Sequence, residues 1–192
     1  MRKILILQGH PNKDSYCFAL GQAYKKGALE TGAEVEVVNI VELDFNPNLK
    51  YGYNNRTDLE PDLLAAWDKI KWANHVVLVH PLWWGGLPAV TKGFFDRLFL
   101  PGMAFQKREN SLFWDKLLKG RSARIITTMD QPPWYYWLNY FAPSHRAVKN
   151  MTFRFTGFSP VKITLAGPIR LSKQAFRDKW IMKTQKLGRQ LR

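Results

Sequence analysis

The stretch Ile4-Leu5-Ile6-Leu7-Gln8-Gly9-His10-Pro11-Asn12-Lys13-Asp14-Ser15 reads as a buried strand running into a small, polar, hydroxyl-bearing loop that opens a helix. A second stretch repeats the plan with other chemistry. Val76-Val77-Leu78-Val79 is again a short apolar run, and it ends in the aromatic, glycine-rich loop His80-Pro81-Leu82-Trp83-Trp84-Gly85-Gly86-Leu87-Pro88. Continuous apolar runs of this length suit strands covered on both faces, as in a parallel sheet. In such open α/β sheets ligands bind beyond the carboxyl ends of the strands, where the strand order reverses. One loop suited to a phosphate and another suited to a flat ring, both at strand ends, point to a nucleotide-like ligand.

Outward from these loops, strand and helix patterns alternate. Ser15 caps a helix running toward Glu30, with Ala19, Leu20, Ala23 and Tyr24 on one face, and Thr31-Gly32 ends it. Glu34–Ile40 alternates apolar and polar residues, as expected near a sheet edge. Asn46 to Asp58, rich in Asn, Pro, Gly and Tyr, reads as a long loop. Asp62–Ile70 is amphipathic and helical and feeds Val76–Val79. A further helix starts near Pro88, because proline suits a first turn, and stops at Pro101-Gly102. Arg124–Thr128 is a fourth strand, followed by the aromatic segment Trp134–Phe141. A helical stretch containing Ala147–Phe155 leads to a fifth strand, Val161–Leu165, and a helix over Ser172–Gln190 closes the chain. The expected architecture is a single flavodoxin-like α/β domain over residues 1–192. It has a doubly wound five-stranded parallel sheet, order 2-1-3-4-5, with helices on both faces.

Composition narrows the function classes. A length of 192 residues suits one full hydrophobic core, and 46% hydrophobic with 23% charged residues suits a soluble globular chain. Met1-Arg2-Lys3 before Ile4–Leu7 imitates a signal peptide, but the apolar run is shorter than the ~7–15 residues of an h-region, so it reads as a strand. The single cysteine, Cys17, excludes an internal disulfide and fits a reducing compartment, so a cytoplasmic location is expected. Lys and Arg total 29 against 15 acidic residues, a formal charge of +14. The basic residues are spread along the chain, with some concentration from Arg170 to Arg192, and no zinc or RNA-binding signature accompanies them. The balance reads as a basic surface that attracts anionic ligands, with no nucleic-acid partner.

Three strand-end segments carry the candidate chemistry. At the first, backbone amides and the helix dipole make the start of the helix a phosphate site, to which Ser15 adds a hydroxyl and His10 a further donor. Serine here also acts as an ordinary N-cap. At the second, Trp83 and Trp84 offer apolar cover, and Gly85 and Gly86 permit close backbone approach. At the third, Thr127-Thr128-Met129-Asp130 offers hydroxyls and amides to a heterocycle, and Trp134-Tyr135-Tyr136 beyond it can roof a site or form a subunit interface.

The set Gly9-His10-Pro11…Ser15, Pro81-Leu82-Trp83-Trp84-Gly85-Gly86-Leu87-Pro88-Ala89…Lys92-Gly93-Phe94-Phe95-Asp96-Arg97 and Thr127-Thr128 resembles the flavodoxin-like NAD(P)H:quinone oxidoreductases. That family includes the modulator-of-drug-activity and potassium-efflux ancillary proteins. The resemblance implies a flavin (FAD or FMN) and NAD(P)H as electron donor, with two-electron transfer to a quinone or similar acceptor by a ping-pong route. It places His10, Ser15, Tyr16 and Cys17 around the flavin phosphates. Pro81, Leu82, Trp83, Trp84 and Gly85 fall along the ring, and Thr127 and Thr128 against it. Tyr135 falls at an active-site tyrosine. His145 lies beyond the position of the family's active-site histidine, to which Phe141 is nearer in spacing; Tyr135 and His145 are the candidate proton donors. Arg177 and Ile181 match positions bordering adenine in FAD-binding members. The family pattern also implies a homodimer and, as an alternative role, regulation of a membrane transport protein by peripheral contact. Met129-Asp130 stands where many members carry two glycines, and Cys17 where many carry asparagine.

Overall fold

The computed structural model describes residues 1–55 and 57–190. Five parallel strands form the central sheet: β1 (Lys3–Gln8), β2 (Glu34–Asn39), β3 (His75–Pro81), β6 (Ser122–Thr128) and β7 (Val161–Ala166), in the order β2-β1-β3-β6-β7. This is the expected doubly wound order, with the reversal between β1 and β3. β2 lies at an edge, as its alternating pattern predicts. The sheet register sets Gln8 beside Val79 and Pro81 beside Thr128, so the three candidate loops leave the same edge of the sheet side by side.

Each face of the sheet has its own core. Ile4, Ile6, Val77, Val79 and Ile126 point to the side covered by α1 (Tyr16–Leu29) and α6 (Gln174–Arg189). Leu5, Leu7, Val76, Leu78 and Ile125 point to the other side, where α2 (Pro61–Trp72) and α3 (Ala89–Leu98) pack. The strict alternation along β1 is the two-residue period of a strand buried on both faces.

Two features lie outside the pattern read from sequence. Residues between Pro101 and Ser122 form a small antiparallel hairpin, β4 (Phe105–Lys107) with β5 (Trp114–Lys116). After α4 (Pro133–Tyr140) and the short α5 (Pro143–Arg146), the expected helical stretch continues as a π-helix, Ala147–Arg154. α4 ends on two consecutive left-handed residues that are not glycine, Phe141 (φ 56°) and Ala142 (φ 49°). Each left-handed residue with a side chain costs about 1–2 kcal/mol, and such strain concentrates at functional sites. Among the described residues no helix is long and apolar enough to cross a membrane.

Candidate functional site

A cavity of about 210 Å³ opens where the three loops meet, and it is bordered by His10, Ser15, Trp83 and Thr128. Ser15 is the N-cap of α1: its Oγ accepts from the Phe18 amide at 3.2 Å, which leaves its O–H free to donate. The first-turn amides of Tyr16 and Cys17 have no carbonyl one turn back. His10 Nδ1 accepts from the Asn12 amide at 2.9 Å, so its proton sits on Nε2, ready to donate. Burial lowers the His10 pKa, and its ring meets Trp83 edge-on with centroids 5.4 Å apart. The cavity therefore gathers neutral donors at a helix N-terminus, the chemistry that holds a phosphate.

The aromatic loop is a tight turn. Trp83 and Gly86 exchange two backbone hydrogen bonds, of 3.1 and 2.8 Å, and the two residues between them, Trp84 (φ 48°) and Gly85 (φ 74°), are both left-handed. This is the dihedral signature of a type I′ turn, which favours glycine and penalises tryptophan. A Cβ added at Gly85 would meet nothing within 4 Å, so the backbone faces open space. Among the described residues the amides of Trp84 and Gly85 bond no backbone carbonyl. A planar heterocycle against this turn would find two donors and no side chain in its way.

A second cavity, of about 500 Å³, adjoins the first: Leu82, Met129 and Asp130 border both. Tyr136, Tyr140 and Pro143 form its far side. Trp84, fully exposed, stands at its margin. Met129 and Asp130 are tied down by the backbone of the strand that follows. Met129 donates to the Ala166 carbonyl at 3.0 Å, and an Asp130 carboxylate oxygen accepts from the Arg170 amide at 3.1 Å.

Several side chains named from the sequence have other partners than expected. The Cys17 thiol is buried against Thr128 Oγ1 at 2.9 Å, and burial pushes its pKa up to about 12; the side chain clips α1 to β6, while the residue borders the first cavity. The Tyr16 hydroxyl donates to the Arg177 carbonyl at 2.6 Å, which fixes the start of α6 beside the phosphate loop. Arg177 itself bonds Ser172 Oγ at 3.0 Å, and Ile181 packs into the core under α1. Tyr135 lies edge-on to Trp134 and Tyr140 and is absent from the walls of both cavities. Helical periodicity turns its neighbour inward instead. Tyr136 is buried, and its hydroxyl accepts from the Ser144 amide at 3.2 Å.

Thr127 and His145 depart furthest from expectation. Both are buried and join His80, which the sequence reading left without a role. His80 Nδ1 lies 2.8 Å from the Pro81 carbonyl and must donate to it. Burial lowers the His80 pKa to about 4, so the ring is neutral and its Nε2 accepts from the Thr127 hydroxyl at 3.0 Å. Thr127 has then given its only proton, so His145 Nε2 donates to Thr127 Oγ1 at 3.0 Å. Every proton in the chain is thereby assigned, and His145 Nδ1 is left as a buried acceptor with no partner among the described residues. This hydrogen-bonded chain ties His80 and His145 to the end of β6. Four histidines in the whole sequence, one of them directly before Pro81, were the available signal.

Ser15 has two separable duties, and two substitutions distinguish them. Ser15→Ala should lower stability by about 1 kcal/mol through loss of the cap. Ser15→Asp keeps a capping oxygen but puts a negative charge where a phosphate would sit. Urea unfolding should show Ser15→Asp near wild type, while flavin titration shows binding weakened by more than about tenfold. Equal flavin affinity in wild type and Ser15→Asp would remove Ser15 from the phosphate site.

A sequence-family profile described as flavodoxin-like fold matches residues 2–186. An uncharacterized NAD(P)H oxidoreductase of Haemophilus influenzae is 30% identical over 171 residues, covering 87% of this chain and 84% of that protein. NAD(P)H dehydrogenase [quinone] 1 of Rattus norvegicus is 27% identical over 55% of this chain, and the match spans 46% of that longer protein. The crystal structure of Smu.1420 from Streptococcus mutans superposes with a TM-score of 0.86 at 28% identity, covering 99% of this chain and 100% of that one. With the strand order, the three loops and this full-length match in agreement, the chain belongs to the flavodoxin-like family of NAD(P)H oxidoreductases.

Proposed function

We propose that the protein is a flavin-dependent NAD(P)H oxidoreductase that passes two electrons to a quinone or similar acceptor. The carrying observation is the open, left-handed turn at Gly85 on the cavity that adjoins the one at the Ser15 helix terminus, which sets ring-sized and phosphate-sized chemistry side by side. A bound flavin supplies the two-electron carrier; the protein supplies position, polarity and exclusion of water. His10 and the first-turn amides bind the phosphate, the Trp84 and Gly85 amides meet the ring edge, and Trp83 and Leu82 border it. The second cavity receives donor and acceptor in turn, which gives ping-pong kinetics. The names of the Haemophilus and rat relatives support the donor and, for the latter, the acceptor class.

The same reading includes a homodimer. Trp84 stands exposed at the second cavity, and Trp134, Leu138 and Phe141 are exposed along and just beyond α4, large apolar side chains that a subunit interface would cover. Light scattering at micromolar concentration should give twice the mass of one chain.

The test is flavin binding followed by turnover. Purified protein mixed with FMN or FAD should form a yellow complex that oxidises NADH or NADPH when a quinone is added. Gly85→Asn is the informative variant, since asparagine tolerates a left-handed backbone but fills the open space. Its fold should match wild type by circular dichroism, with flavin affinity reduced by more than about tenfold. Protein that binds no flavin overturns the reading. Flavin binding without turnover would leave a regulatory role and discard the enzymatic one.

A further inference from the structure

A third cavity, of about 620 Å³, meets the second: Gly85 and Pro143 border both. Its walls are mainly hydrocarbon. Leu87, Phe95 and Phe99 come from the α3 side, and Val148, Met151 and Phe155 from the π-helix and its end. The charged groups here and the Thr156 hydroxyl are already engaged, while the hydroxyls of Tyr53, Ser144 and Thr152 also line the cavity. Lys92 and Asp96 bond each other at 2.7 Å, one helical turn apart, and the Thr156 hydroxyl donates to the Thr152 carbonyl at 2.9 Å. An ionic ligand finds no unpaired charge on these walls, since Lys92 and Asp96, the charged residues that line the cavity, neutralise each other. The π-helix is itself informative, because such segments widen a helix and occur preferentially at functional sites.

We propose that this cavity takes the alkyl or prenyl side chain of a lipid-soluble quinone whose head group occupies the second cavity. The inference rests on the quinone-reductase reading and adds the substrate class: an acceptor with a polar redox head and a long apolar tail. Continuity carries the argument. The second cavity, which carries Asp130 and Gln131 beside Tyr136 and Tyr140, lies next to the flavin loops, and the larger third cavity with its aliphatic and aromatic side chains begins where it ends, at Gly85 and Pro143. The head is reduced to the hydroquinone by the electron pair and proton of NAD(P)H plus one solvent proton. The tail undergoes no chemistry.

The experiment compares two quinones that share one head group, one bearing a methyl and one a decyl substituent, in the flavin-loaded protein and in two variants. Thr152→Trp fills the cavity; Met151→Glu sets a carboxylate on its wall at a solvent-exposed position. Each buried methylene is worth about fourfold in affinity, so the decyl quinone should show kcat/KM at least about tenfold higher in wild type. Calorimetric titration without NAD(P)H should show the same preference in Kd. Both variants should lose the preference while keeping wild-type kcat/KM for the methyl quinone. Equal values for the two quinones in wild type, or a preference that survives both substitutions, overturn the inference. Variants that change the mass by light scattering and keep the preference overturn it too, and assign the cavity to a second copy of the chain. No turnover of the methyl quinone overturns the quinone-reductase reading along with it.

Discussion

Acidification from pH 7.5 to pH 5 should destabilise the protein far more than its exposed ion pairs account for. Three histidines, His75, His80 and His145, are buried and neutral, each with its pKa lowered to about 4. Burial is the main cause for all three. The positive charges of Arg124, Arg2 and Lys162 add to it at His75, and His80 adds to it at His145. In the unfolded chain the same rings titrate near 6.5. The folded values are therefore depressed, the unfolded state binds more protons, and stability falls as pH drops. The contribution is fully present above 6.5 and is lost as pH falls toward 4. Each ring should cost about 2 kcal/mol by pH 5 and about 3 kcal/mol by pH 4. Together these approach the ~5–15 kcal/mol total stability of a typical domain. The urea midpoint of flavin-free protein should therefore fall steeply between pH 7.5 and 5. His145→Gln retains an N–H for Thr127 but no titrating ring, and should remove about a third of the slope. A midpoint unchanged over this range would mean that the three histidines are not held neutral by the fold.

What was legible in the sequence follows the range of the interactions involved. The five strands and the order of the sheet rest on local apolar runs, and those runs persist unchanged in the fold. The start of α1 was legible because capping is local: Ser15 and the amide it serves are three residues apart. The His80–Thr127–His145 chain was not, since its members lie 47 and 18 residues apart and no periodicity links them. Tyr135 against Tyr136 shows the limit of spacing. One residue along a helix turns a side chain by roughly 100°, so the choice depends on how α4 sits on the body of the domain. The β4–β5 hairpin escaped because its strands are only three residues long. The helix π-segment escaped because its sequence reads as an ordinary helix.

Part of the most distinctive motif turns out to serve the scaffold. In Lys92-Gly93-Phe94-Phe95-Asp96-Arg97, a Cβ on Gly93 would lie 2.4 Å from Pro47, so glycine lets α3 meet the loop that follows β2. Arg97 closes the same contact. Its side chain is 1% exposed, and it pairs with both Glu60 oxygens at 2.7 and 3.0 Å and with the Asp58 carbonyl at 2.8 Å. It also donates to the Asn46 carbonyl, while Glu60 accepts from the Asn46 amide at 3.1 Å. Burial works against ionisation of Glu60, yet the Arg97 hydrogen bonds hold its pKa below the usual carboxylate range. This fork shapes the position of α3, whose Thr91 hydroxyl bonds the Gly9 carbonyl at 2.8 Å and so reaches the phosphate loop.

Replacing Arg97 with Met keeps the packing volume but leaves a partly buried carboxylate and two backbone carbonyls without their donor. Breaking a fully buried pair costs about 3–5 kcal/mol, and with the Glu60 side chain 29% exposed the loss here should lie at the low end, about 3 kcal/mol. For a domain of this size that corresponds to a fall in Tm of roughly 10 °C. Arg97→Lys should recover only part of it, because an ammonium cannot reproduce the planar fork that spans Glu60 and the carbonyls. The paired change Arg97→Met with Glu60→Met removes the orphaned carboxylate and should sit closer to wild type than Arg97→Met alone. Urea unfolding of the four proteins at pH 7.5 tests the order. A loss below about 1 kcal/mol in Arg97→Met would show that the pair is dispensable. Exposed ion pairs such as Lys71–Asp68 set that lower bound, being worth about 0–1 kcal/mol. The difference between the two kinds of pair lies in burial: the Arg97 side chain is 1% exposed and meets no water, whereas both members of Lys71–Asp68 stand more than half exposed.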